Sequence, residues 1–293
     1  MHRFLLHNQD VVDASARVLA PGQIGLLSGW GVFSTLRVYD GVPFAWERHW
    51  KRMRTDAQRM RIPFPDDPAK LEDGLLRLIE ANQAWNATLR VAVVRNRGGL
   101  YEGPGPMPEF DVVAFTVDCV RWPESVKLGL IPQGRHAASE FAGTKYTSWS
   151  ENLARYERAH EQGFDEVILL NERGEVSECT SANVFVVNRL GDVYQVSTPP
   201  LSSGCLPGVT RAVVLEELHV GGIEIGERTL LPADLELADE VFITSTTREL
   251  LPVASIDGLA IQAGRQARDR LSQAFSSFVA AYCTAHRKPV SAH

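Results

Sequence analysis

Asp40-Gly41 is the tightest constraint on how this chain can fold. It separates two apolar runs in "FSTLRVYDGVPFAW", Phe33 to Trp46. Glycine accepts the positive φ that a two-residue hairpin turn demands, so the runs read as strands folded back on each other. The next stretch, "WERHWKRMRTDAQRM", changes period. Trp46, Trp50, Met53, Ala57 and Met60 recur at helical spacing, the opposite face is basic, and Pro63 and Pro65 end the pattern.

The same alternation continues downstream. Leu71, Leu75, Leu78 and Ile79 mark a second amphipathic helix after Pro68. "TLRVAVV" and "FDVVAFTV" read as strands on either side of "RNRGGLYEGPGPMPE", a Gly/Pro-rich loop too long for a simple turn. The pattern breaks at Arg121–Ser125, "RWPES", which places a smaller N-terminal domain at 1–120, a linker at 121–125 and a larger C-terminal domain at 126–293. With 293 residues, two domains of roughly 150 are expected, and one large α/β unit is the competing arrangement. Beyond the linker, "VKLGLIP", "DEVILL", "NVFVV", "DVYQV" and "EVFITS" read as strands. A helix after Ser148 should carry Trp149, Leu153 and Tyr156 on one face, and a last helix carries Leu271, Ala274, Phe275, Phe278 and Tyr282. The fold class is mixed α/β (α+β) in two domains.

Composition narrows the function. Net charge is −6 and the 30 Lys and Arg are scattered, so neither nucleic acid nor an anionic membrane is the expected partner. No stretch approaches the roughly 18 apolar residues of a membrane span, and the N-terminus lacks a long apolar segment. Cys119, Cys179, Cys205 and Cys283 are far apart, as reduced thiols of a cytoplasmic protein would be. No metal is expected, since the eight histidines form no HExxH and no Cys/His cluster. A GxSxG elbow and a phosphate loop are likewise missing, and "SGWGVF" precedes a strand rather than a helix.

One stretch asks for an explanation. "GEVSECTSANVFVV", Gly174 to Val187, places Glu178 and the small residues Cys179, Thr180, Ser181 and Ala182 at the mouth of an apolar strand. A carboxylate there is either a solvated turn residue or one held for a partner. Elsewhere, groups suited to a phosphate recur. "CLPGVTR" puts Val209 and Thr210 in the first turn of a helix, where N–H groups point outward, although a water-solvated helix start is the commoner reading of such a stretch alone. Arg52 lies beside the apolar stripe of Trp50 and Met53 and offers a fork of donors, and a snorkelling surface arginine is its plainer reading. Lys145 ends a polar connection one turn before a capped helix. The hydroxyl run Thr244-Ser245-Thr246-Thr247 follows a buried strand, where it can bind an anion or simply cap a loop.

Taken in order, "GVFSTLRVYDG", "HWKRM", the Lys145 region, "GEVSECTSANVF", "LPGVTR" and "ADEVFITSTTREL" resemble the class IV aminotransferases, from about Trp30 to Phe275. These are the fold-type IV pyridoxal-phosphate (PLP) enzymes: branched-chain aminotransferases, D-amino acid aminotransferases and aminodeoxychorismate lyases. The resemblance implies that Lys145 forms the Schiff base with PLP, that Glu178 faces the pyridine nitrogen, and that Arg52, Val209, Thr210 and Thr246 bind the phosphate. It implies that Leu206 packs against the ring. The implied substrate contacts are Phe33, Thr35, Arg95, Arg97, Thr246 and Thr247, the last two through backbone N–H groups.

A carboxylate beside the ring nitrogen favours its protonated, electron-withdrawing form. A released lysine amine then moves a proton between the substrate α-carbon and the cofactor C4′ carbon. The activity implied is transfer of an amino group from a small α-amino acid, branched-chain as the first choice, to a 2-oxo acid, by a homodimer. An aminodeoxychorismate lyase releasing pyruvate and 4-aminobenzoate is the alternative, and a non-catalytic scaffold the third. The chain departs from many relatives at Trp30, at Ser34-Thr35, and in Tyr146–Ser150, where branched-chain enzymes carry a tyrosine shortly after the lysine. After Arg97 it has Gly98-Gly99, no clean match to an Arg-x-His carboxylate trap.

Overall fold

The computed structural model describes residues 1–98, 108–261 and 265–287. Most of the Gly/Pro-rich loop, including Gly99, lies outside them. The chain forms two compact units. Met1–Val120, Lys145–Trp149 and Val279–His293 make the first, and Arg121–Thr144 with Ser150–Phe278 the second, wherever those spans are described.

In the first unit the elements are β1 (Phe4–His7), β2 (Asp10–Asp13), α1 (Ile24–Ser28), β3 (Gly31–Tyr39), β4 (Val42–Pro43), α2 (Trp46–Arg59), α3 (Pro68–Ala81), β5 (Ala87–Arg95) and β6 (Phe110–Val117). The strands form one antiparallel sheet in the order β2-β1-β6-β5-β3-β4. Asp40 and Gly41 both have positive φ, 48° and 83°, the pair of values a type I′ turn needs, and Val38 pairs with Pro43 across it. Alternation along β3 sends Val32, Leu36 and Val38 into a core shared with Trp46, Trp50, Met53 and Ala57 of α2 and Leu71, Leu75, Leu78 and Ile79 of α3. Asp67 caps α3, accepting from the N–H groups of Ala69 and Lys70 at 2.9 and 3.2 Å, which stabilises the helix by about 1 kcal/mol.

A single cut at 121–125 does not describe the chain. Lys145–Trp149 was expected within 126–293, yet it belongs to the first unit because it runs along the start of β3. Phe33 N–H donates to Lys145 C=O at 3.1 Å, Thr147 N–H donates to Gly31 C=O at 2.8 Å, and Val32 bridges Tyr146. These backbone bonds join residues over a hundred positions apart, which local pattern cannot reveal.

In the second unit the elements are β7 (Val126–Ile131), α4 (Ser150–Glu161), β8 (Glu166–Leu170), β9 (Val176–Cys179), β10 (Asn183–Leu190), β11 (Val193–Thr198), α5 (Val209–Glu216), β12 (Ile223–Glu227), α6 (Pro232–Glu236), β13 (Glu240–Ser245), β14 (Glu249–Ile256) and β15 (Leu259–Ala260). The last helix, α7 (Gln266–His286), begins in this unit and ends in the first. One mixed sheet runs β12-β11-β10-β13-β14-β7-β8-β9, with β15 beside β14. Its central strands are buried on both faces. Val184, Val186, Val241 and Ile243 enter one core, and Phe185 stacks on Phe242 at 5.0 Å on the other side. The expected apolar face of α4 is not the buried one: Leu153 is exposed, whereas Asn152 and Ala159 are buried. Trp149 lies outside the helix, Asn152 is turned inward by a bond from Arg135, and Ala159 packs on Val167 and Leu169.

Candidate functional site

In the first unit the chemistry gathers on β3 and α2. Strand alternation turns Ser34 toward α2, and Phe33 and Thr35 to the opposite face. Ser34 is fully buried, and its Oγ lies 2.7 Å from both the Arg52 guanidinium and His49 Nδ1. Arginine can only donate, so the serine proton is left for His49 Nδ1, and the imidazole carries its own proton on Nε2. This requires a neutral ring. Burial, and then the charges of Arg52 and Lys145, hold His49 well below the ordinary histidine range. Burial also pulls Arg52 down to about 10, against the attraction of Asp56, so it stays a cation. The Asp56 carboxyl is raised, chiefly by its own burial.

Lys145 is fixed from both sides. Its N–H donates to Asp56 Oδ2 at 3.2 Å, and its carbonyl is held by Phe33. The side-chain amine lies 4.6 Å from the Phe33 ring centre and 5.3 Å from that of Trp149, two rings meeting edge to face. A guanidinium that sequence reading passed over completes this group. Arg90 pairs with Thr35 across β3 and β5, and stacks 3.9 Å from the Phe33 centroid. It makes no hydrogen bond or ion pair with any described residue, and burial lowers its pKa. The signal was present in "TLRVAVV", where Arg90 is the one charged residue of an otherwise apolar strand. Arg95 is committed elsewhere: it donates to the carbonyls of Arg97 and Arg61, both at 2.6 Å, and covers the Trp30 ring. Arg97 is exposed, and Trp30 donates to the Met60 carbonyl at 2.8 Å.

In the second unit Glu178 is no solvated turn residue. It lies on β9, 6 % exposed, with Oε1 accepting from Arg135 Nε at 3.1 Å and Oε2 from Leu206 N–H at 3.0 Å. Each oxygen keeps a further lone pair for a donor. Thr180 and Ser181 have a different use: their hydroxyls donate to buried Glu166 at 2.5 and 2.6 Å. Leu206 is joined to Asn183, whose amide donates to the Leu206 carbonyl at 2.9 Å.

Helix α5 starts from Gly208 with no side-chain cap, and Val209 and Thr210 are buried. Its first N–H groups therefore have no capping side-chain oxygen, an arrangement that suits a bound anion. A Cβ at Gly208 would collide with Asn183 Oδ1, so the Asn183 amide or the helix start would have to shift. Thr244 Oγ1 is also buried without a hydrogen-bond partner among the described residues. Thr246 and Thr247 sit half-buried in the turn between β13 and β14.

Within the second unit, the uncapped start of α5 suits a phosphate, and the buried Glu178 carboxylate suits a basic ring nitrogen. Thr246, Val209 and Thr210 lie with Glu178 and Leu206 in the second unit, while Lys145, Arg52, Phe33, Thr35 and Arg90 lie in the first. Among the described residues no cluster of His, Cys, Asp and Glu could hold a metal ion.

The family profile described as amino-transferase class IV matches residues 31–256. A putative branched-chain-amino-acid aminotransferase of Methanocaldococcus jannaschii is 33% identical over 270 residues, 87% of this chain and 88% of that protein. The D-alanine aminotransferase of Bacillus licheniformis is 30% identical over 278 residues, 89% of this chain and 90% of that one. Among solved structures, the branched-chain amino acid aminotransferase from Escherichia coli superposes with a TM-score of 0.85 at 26% identity, covering 95% of each chain.

Proposed function

Because this chain belongs to the class IV aminotransferase family, we propose that it uses PLP to move an amino group between a branched-chain L-amino acid and a 2-oxo acid. The observation that carries the proposal is Lys145, whose peptide is bonded at both N–H and C=O while its amine lies against Phe33 and Trp149. A lysine whose backbone is held at both ends and whose amine lies against two rings suits a residue that must hold a cofactor and then act as a base.

PLP, when bound, supplies an electron sink for the bond that breaks at the substrate α-carbon. The protein's own groups do the rest. Lys145 would hold the cofactor through its aldehyde carbon, and its amine would serve as the base that moves a proton at the substrate α-carbon. Glu178, held in place by Arg135 and Leu206 N–H, would accept the ring N–H and favour the protonated nitrogen. The phosphate would be held by Arg52, whose guanidinium donates to Ser34, by the N–H groups of Val209 and Thr210, and by Thr246. Leu206 packs against the ring. Thr246 and Thr247 offer N–H groups to the α-carboxylate. Phe33 and Thr35 would line the substrate side, and of the two loop arginines Arg97 is the one whose guanidinium is not already bonded to carbonyls of described residues, as that of Arg95 is. Arg90, stacked on Phe33 and without a hydrogen bond or ion pair to any described residue, takes a second carboxylate such as that of 2-oxoglutarate. A cytoplasmic homodimer completes the reading. No helix among the described residues is long and apolar enough to cross a membrane.

The test is a donor screen with 2-oxoglutarate as acceptor, following keto-acid formation from L-leucine, L-isoleucine, L-valine and D-alanine. Branched-chain L-donors should react best, and Lys145→Ala should remain folded by circular dichroism but lose both transfer and borohydride-fixable cofactor. Absence of transfer from every donor would overturn the proposal, and pyruvate release from aminodeoxychorismate without an acceptor would mark a lyase.

A further inference from the structure

Arg248 closes the turn between β13 and β14, and neither the cofactor nor the substrate contacts above make use of it. It is 8 % exposed. Its N–H donates to Ser245 Oγ at 3.2 Å, and its guanidinium reaches three other places. One terminal nitrogen donates to Ser181 Oγ at 2.9 Å and to Ser181 C=O at 3.3 Å. The other donates to Glu166 Oε2 at 3.2 Å, and the whole group lies 4.2 Å from the centre of the Trp122 ring. Glu166 is fully buried and also accepts from the Thr180 and Ser181 hydroxyls and from the N–H groups of Val167 and Thr180.

A buried ion pair is weak evidence for stability, because desolvation offsets its attraction, but it does specify one arrangement. What it specifies here is the register of two short segments. Ser181 stands three residues after Glu178, and Thr246-Thr247 stands directly before Arg248. The next residue, Glu249, sits at φ 52°, in the left-handed region that a side chain disfavours. A turn ending in such a residue needs outside restraint to persist.

We propose that Arg248 is a positioning residue, which with Glu166, Ser181 and Trp122 locks the Thr246-Thr247 turn to the strand end bearing Glu178, so that the turn's N–H groups are pre-set for a substrate carboxylate. The inference rests on the reading of Thr246-Thr247 as the carboxylate turn. Lysine at 248 would keep the charge but lose the fork that reaches Glu166 and Ser181 together.

The experiment uses PLP-loaded enzyme and follows loss of the cofactor's visible band on mixing with L-leucine. Arg248→Met should raise the half-saturating L-leucine concentration about tenfold, the effect of one weakened hydrogen bond to a charged group, with limiting rate and resting band little changed. Arg248→Lys should show a smaller rise. The rate with 3-methylbutylamine, the same donor without its carboxylate, should not respond to either change. A merely structural Arg248 would lower thermal stability and active fraction while leaving half-saturation alone, and that result would overturn the proposal. Should Arg248→Met fail to fold, an unchanged half-saturation in Arg248→Lys overturns it equally. Thr247→Pro, which deletes one turn N–H, separates the two ideas. If it leaves L-leucine half-saturation unchanged, the carboxylate turn itself is wrong. If it raises half-saturation while the Arg248 variants do not, only the positioning role fails.

Discussion

Acidification should expose the buried imidazole of His49. The ring is 1 % exposed, accepts the Ser34 hydroxyl proton at 2.7 Å, and lies near Arg52 and Lys145. Protonating it in the folded protein means desolvating a charge, adding two repulsions and losing an accepted hydrogen bond. In the unfolded chain the same ring takes its proton at about pH 6.5. Below that pH the unfolded state binds a proton that the folded state refuses, so stability falls as pH falls, and above it the contribution is flat. The slope is about 1.4 kcal/mol per pH unit, which gives a loss of about 2 kcal/mol between pH 7.5 and 5.0 while the folded ring stays neutral. His49→Gln keeps an acceptor for Ser34 and has no proton to gain. Asp56 acts in the opposite sense, since its raised carboxyl takes a proton at higher pH in the folded state, but it is common to both proteins and cancels in the difference. Urea unfolding followed by circular dichroism, at both pH values with saturating PLP, should show the wild type losing about 2 kcal/mol more than the variant. Parallel losses would refute a neutral, serine-bonded imidazole.

Two further outcomes are expected. Arg90→Leu should raise KM for 2-oxoglutarate about tenfold or more, the worth of one charge-assisted bond, and change KM for 4-methyl-2-oxopentanoate far less; steady-state kinetics with equal effects on both acceptors would show that Arg90 only supports Phe33. Gly208→Ala should weaken PLP binding by about tenfold or more, because the new Cβ displaces the start of α5 from Asn183; an unchanged affinity in a fluorescence titration of cofactor-free enzyme would count against that helix start as the phosphate site.

Residues whose structure is local were readable from the chain. Asp40-Gly41 forms its hairpin, and the stripe from Trp46 to Ala57 is the buried face of α2, because turn chemistry and helical period are decided within a few residues. Strands at Phe4–His7 and Asp10–Asp13 escaped notice, being short and only partly buried. Arg90 was passed over for Arg95 and Arg97 because a charged residue in an apolar strand reads as an interruption, whereas strand alternation turns it to the face of Phe33 and Thr35. For Glu178 the sequence posed the question of solvation, but only long-range partners, Arg135 and Leu206, could answer it. Leu153 misled for a related reason: helical periodicity names a stripe, and Asn152 was drawn inward by Arg135.

The division of the chain bears on its synthesis. The backbone passes between units at 120/121, 144/145, 149/150 and 278/279. As the polypeptide leaves the ribosome, the first 120 residues emerge without the peptide that lies along β3 and without the last turns of α7, where the Tyr282 hydroxyl donates to Glu47 at 2.6 Å. N-terminal domains are usually able to fold during translation. Here the unit's contact set is complete only once residues 145–149 and those from 279 onward have been made, so the backbone bonds that hold Lys145 belong to the later part of synthesis.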